Sequence, residues 1–212
     1  TDASDLELPP LVAMNPMGKD HIPAMLDTLL AIDADAVAAI SIAEVLDRFD
    51  RDSEPLKLGL VVADDLMGGW TNRYASEFSA RFEIEPSLKR GWLNVILWTS
   101  ETPSIQKVRE ETLTTVYRAA YIQQHGRATT LQEMLNQEGY ARAMAGCTQP
   151  HLDVDDLIYT REILAPHLST QDHPTIMVCL FGDRAAHSLG YKPHGLSDRA
   201  GLAMALHQEL SI

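Results

Sequence analysis

Between Asp20 and about Phe49, apolar residues recur at three- and four-residue steps: Met25, Leu26, Leu29, Leu30, Val37, Ile40, Val45 and Leu46. That spacing gathers them on one face of a helix. Alanine filling favours the same state. Asp20 is placed to cap the helix, with Pro23 in its first turn. Three short runs then break the helical period. They are Leu58 to Ala63, Trp92 to Trp98 and Thr175 to Phe181. Each is apolar on both faces and bounded by breakers. This pattern suits strands covered on two sides, as in a parallel sheet. Buried helix is the competing reading of such runs, and their shortness argues for strand.

Helical patterns follow. One spans Thr71 to about Phe82. Another runs from Pro103 to about Gln124, with Thr102 as its cap and Gly126 just past its end. Thr130 and Glu133 have the spacing of a capping box. A further helix starts near Asp153 and ends near Pro166. The last begins at Ser197 and carries Leu202, Leu206 and Leu210 on one stripe. Alternation of this kind predicts an α/β fold. The sheet is small and mostly parallel, with three or more strands, and the domain is helix-rich. Residues 80–90 or 9–14 are the places to look for a further strand. Residues 1–18 hold Pro9, Pro10 and Pro16 without periodicity and read as an extended arm. Residues 19–212 read as a single α/β domain.

Charge narrows the partners. The chain of 212 residues carries a formal net charge of -13, and residues 1–50 hold ten acids against Lys19 and Arg48. Such a surface repels phosphate backbones and anionic lipid, which excludes nucleic acid and membrane surfaces as expected partners. No apolar stretch approaches the roughly 20 residues of a membrane span. Cys147 and Cys179 lack a redox or metal spacing, and a cytoplasmic protein with reduced thiols is expected. A homo-oligomer is the default assembly.

Candidate chemistry follows from the strand ends, where open α/β sheets place their ligands. After the first run come Asp64, Asp65, Gly68, Gly69, Thr71, Asn72 and Arg73. Paired carboxylates offer hard oxygen ligands to Mg²⁺ or Mn²⁺. Gly68 and Gly69 let backbone approach a ligand. Thr71, Asn72 and Arg73 suit an anionic group at a helix start. The plainer reading is a glycine turn, a helix cap and solvated aspartates. Thr99, Ser100 and Glu101 follow the second run. Asp183 and His187 follow the third at a spacing of four, which suits a carboxylate orienting a general base. The plainer reading there is a helix cap. Motifs for P-loop, dinucleotide, zinc and nucleophile-elbow chemistry are absent. The sequence therefore points to a small-molecule enzyme or binding protein acting on a small anionic molecule, in the concrete form of metal-assisted hydrolysis or transfer. The alternative is a non-catalytic acidic interaction or scaffold protein.

Overall fold

The computed structural model describes residues 19–46, 56–66 and 72–211. The expected arm at 1–18, with its candidate strand at 9–14, lies outside the described residues, as do Gly68, Gly69 and Thr71. Helices dominate: 63% of the described residues are helical. No helix among the described residues is long and apolar enough to cross a membrane. The chain divides into two compact units. The first draws its described residues from 1–71 and from Ile84–Thr115, the second from Asn72–Glu83 and Val116–Ile212.

In the first unit, the expected long helix is two. α1 (His21–Ala31) and α2 (Ala34–Ala43) are separated at Asp33, whose φ of 51° is left-handed. Aspartate tolerates that backbone better than most residues. β1 (Lys57–Ala63) and β2 (Trp92–Trp98) coincide closely with the first two apolar runs. They pair in parallel, from Lys57 with Trp92 to Ala63 with Trp98. Side chains alternate across a strand. Leu58, Leu60 and Val62 therefore share one face with Val95 and Leu97. That face packs on Met25, Leu29, Ala34, Ala38 and Val108.

In the second unit stands α3 (Arg73–Phe82), an excursion from the chain between the two strands. The short α4 (Glu85–Leu88) returns the chain to the first unit. The 80–90 stretch is therefore the end of α3, a two-residue link, α4 and a turn, and supplies no strand. α5 (Ile105–His125) begins in the first unit and ends in the second. The expected capping box at Thr130 is present at the start of α6 (Leu131–Met144). α7 (Val154–Leu164) starts at its Asp153 cap.

The third expected strand is a helix. α8 (His173–Phe181) covers the whole Thr175–Phe181 run. Two local signals start it. Asp172 accepts the Thr175 N–H at 3.0 Å, and Pro174 occupies the first turn. Ile176 through Phe181 are all buried. A helix covered on every side shows no amphipathic period, which is why its pattern resembles a two-sided strand. The sheet among the described residues therefore has two strands, both parallel. α9 (Asp183–Leu189) and α10 (Ala200–Leu210) complete the unit.

Close helix contacts rest on missing side chains. A Cβ at Gly139 of α6 would press on the Ala205 carbonyl of α10. One at Gly201 of α10 would meet the Cys179 carbonyl of α8. Gly182 joins α8 to α9 with φ +79°, and a Cβ there would strike the Ser197 carbonyl.

Charges are buried between these helices. Glu138 is fully buried and takes a two-pronged arginine: Arg118 Nε at 2.6 Å and Nη2 at 3.0 Å. Arg81 bonds it from α3. Glu77 receives Arg199 through both terminal nitrogens, at 2.7 and 2.6 Å, and Arg73 Nε at 2.8 Å. Burial pushes the Glu138 carboxyl up, but Arg118 and Arg81 outweigh it and hold the group at about 2. A carboxyl whose folded pKa is depressed stabilises the fold above its unfolded pKa and loses that contribution as pH falls.

Two expectations follow. Replacing Glu138→Gln leaves Arg81 and Arg118 buried against a neutral partner. It should cost roughly 3–5 kcal/mol in urea unfolding at neutral pH. The loss should shrink as pH drops from about 4.5 toward 2, because the wild-type carboxyl is being protonated over that interval. Gly182→Ala combines a left-handed backbone with a clash and should cost about 3 kcal/mol. Gly190→Ala, left-handed at φ +72° but with nothing within 4 Å, should cost only about 1 kcal/mol.

Candidate functional site

The two strands end level with each other, because the ladder runs in register to its last pair and Thr99 N–H then reaches the Ala63 carbonyl at 3.0 Å. The residues that follow are Asp64 and Asp65 on one strand, Thr99 and Ser100 on the other. They meet. Thr99 Oγ1 donates to Asp64 Oδ1 at 2.7 Å and accepts from Asp65 N–H at 3.2 Å. Ser100 holds Asp65 from two sides. Its N–H reaches Oδ1 at 2.9 Å, and its hydroxyl reaches Oδ2 at 2.6 Å.

A third element completes the cluster. His21, the first residue of α1, places Nε2 2.8 Å from Asp64 Oδ1. Leu66 N–H adds a contact at 3.1 Å to the same oxygen. The Asp64 side chain is only 4% exposed. Burial pushes its carboxyl up, and the bonds from His21, Thr99 and Leu66 outweigh that, so the group is held below its ordinary value and stays ionised. An ionised carboxylate only accepts. The bonded Nε2 of His21 therefore carries the hydrogen.

The arrangement is one-sided. Oδ1 of Asp64 takes three donors, while Oδ2 is buried and has no hydrogen-bond partner. Leaving a buried charged oxygen unpaired costs at least about 1–3 kcal/mol. A donor or cation brought by a ligand would offset that.

The other expected site residues are placed as follows. Asn72 caps α3 through Oδ1, accepting Tyr74 N–H at 2.9 Å, and donates from Nδ2 to Ser188 at 2.7 Å. Arg73 is engaged by Glu77. Asp183 accepts the backbone N–H groups of His194 at 2.9 Å and Gly195 at 2.8 Å, which ties down the 194–195 loop. His187 lies exposed on α9. Asp183 follows a helix rather than a strand, so the strand-end argument does not extend to Asp183 and His187. They belong to the second unit, and Asp64 and Asp65 to the first. Glu101 pairs with Lys107 at 2.6 Å. Among the described residues, no group of three or more His, Cys, Asp or Glu side chains is arranged to hold a metal ion.

His21 is the member that sequence reasoning missed. Nothing in its local sequence separates it from an ordinary helix-start histidine. Thr99 and Ser100 were open to the same rule that found Asp64. Comparison with protein-family models, with curated proteins and with solved structures returned no match. Function is therefore argued from the residues alone.

Thr99 links the two aspartates. Replacing Thr99→Val keeps its shape and removes the bond to Asp64 and the acceptor for Asp65 N–H. The expected loss is about 1–2 kcal/mol in urea unfolding. Loss of amide protection at Asp65 in hydrogen exchange would accompany it.

Proposed function

We propose that the ends of β1 and β2 form a binding site for a small cationic or hydrogen-bond-donating group. Asp64 Oδ2 is its acceptor, and His21 is the neighbour that exchanges a proton with the ligand or with water. The observation that carries this reading is the buried, unpartnered Oδ2 on a carboxylate whose other oxygen is saturated. A positive group docked there gains a charge-assisted hydrogen bond in a place water reaches poorly. The half-buried His21 ring lies on the same carboxylate and offers Nδ1 as a base.

Metal-assisted hydrolysis or transfer on an anionic substrate has weaker support. Both Asp65 oxygens are held by Ser100, which leaves Asp64 with one free oxygen for a metal. A hard cation needs several such ligands. Asn72 and Arg73, the expected anion contacts, are engaged in capping and in pairing with Glu77.

The test is an NMR titration of the amides of Leu66, Thr99 and Ser100. Methylguanidinium, Mg²⁺ and Mn²⁺ are added separately to the wild type and to Asp64→Asn. Saturable shifts with methylguanidinium, lost in Asp64→Asn, are expected. Tighter binding of either metal ion would favour the metal-assisted reading. Absence of any saturable shift would overturn the site.

A further inference from the structure

β1 has an open side. Among the described residues it pairs only with β2, and its outer edge carries no strand. A two-stranded sheet is marginal by itself, and an open edge is a template for another strand. Between β1 and the two helices α1 and α2 lies a groove of about 190 Å³. Leu60 and Val62 of β1, Leu26 and Leu30 of α1, and Asp33 and Asp35 are among the residues that line it. Leu30 is 74% exposed and Leu26 45%. Two exposed apolar side chains thus line the groove.

The groove and the strand-end site are in line. Alternation puts Leu60, Val62 and Asp64 on the same side of β1. The bond from Asp64 to His21 at the start of α1 agrees, since α1 packs on that side. A chain laid along β1 would therefore pass two apolar positions and then meet the unpartnered Asp64 Oδ2. Charge selects what it carries. Asp20, Asp27, Asp33 and Asp35 are exposed on or between the two helices, with Lys19 as the only lysine or arginine among the described residues 19–46.

We propose that this edge binds an extended peptide segment as a third strand, with apolar side chains at alternate positions in the groove and a lysine or arginine level with Asp64. This rests on the reading of Asp64 as a cation acceptor and names the kind of molecule that brings the cation. Backbone pairing along β1 supplies affinity, and the groove and Asp64 supply selectivity.

The experiment is fluorescence anisotropy on the full chain. One labelled peptide alternates valine with threonine and ends in arginine, and a second has the reversed order, so that either strand direction is sampled. In control peptides glutamate or threonine replaces the arginine. One arginine peptide should bind saturably, at least tenfold tighter than its glutamate control. Asp64→Asn should bring the arginine peptide to the level of the threonine control. Leu30→Asp should weaken binding at least fivefold although it adds negative charge, which separates groove burial from bulk attraction. Leu30 is so exposed that folding should survive this change, and circular dichroism checks it.

Indifference to Leu30→Asp, or equal binding of the arginine and glutamate peptides, would overturn the peptide groove. If methylguanidinium still titrates Leu66 and Thr99 in that case, the Asp64 site stands and only this inference falls. If neither ligand binds, both fall. A dimer in sedimentation that Leu30→Asp dissolves, without peptide binding, would assign the edge to a second copy and overturn the proposal.

Discussion

Register is the constraint on which the first unit turns. β1 and β2 run parallel and end at the same level, so whatever follows each strand is brought to one place. Four polar residues follow, and backbone geometry leaves them little choice but to bond one another. Ser100 bonds both oxygens of Asp65, and Thr99 joins His21 and Leu66 on one oxygen of Asp64. A slip of one residue would turn Leu60 and Val62 away from the helices, so hydrophobic burial enforces the register that assembles the polar cluster. Core and site are thus two consequences of one pairing.

The second unit is held by a different balance. Its helices approach closely at Gly139 and Gly201 and bury two carboxylates among arginines. Such pairs are weak sources of net stability, because desolvation offsets most of the attraction. Their effect lies in geometry. Glu138 is satisfied only when α3, α5 and α6 all deliver their side chains, and Glu77 only when Arg199 stands at the start of α10. Misplacing one helix leaves a charge buried without its partner, which is far costlier than losing an apolar contact. Arg199 accepts a left-handed backbone, φ 57°, in reaching that position.

At the strand ends, Asp64 is held on one side only. Its carboxylate is as enclosed as many core side chains, is held ionised, and still leaves one oxygen unpaired. Asp64 follows directly on β1. Among the described residues, the outer edge of β1 carries no strand and this acceptor has no donor, and an extended chain bearing a positive side chain would complete both.

Much of the fold was legible in the amino-acid order. The runs at Leu58 and Trp92 are strands, as their short two-sided apolar pattern between breakers implies. The helices at Thr130 and Asp153 begin where their caps stand. The run at Thr175 defeated the same reasoning. A segment covered on all sides has no polar face, so its period carries no information. The deciding marks were Asp172 and Pro174, which start a helix but lie outside the run. Asp64 and Asp65 were found by the strand-end rule, whereas Asp183 and His187 were reached through a strand that is a helix. Local sequence by itself determined which segments are regular, where most of them begin, and that acids crowd the strand ends. Tertiary structure alone decided that His21 meets Asp64 across forty-three residues of chain and that one oxygen is left over. The reason is physical: periodicity and capping act over a few residues. Whether a buried atom finds a partner depends on every element that surrounds it.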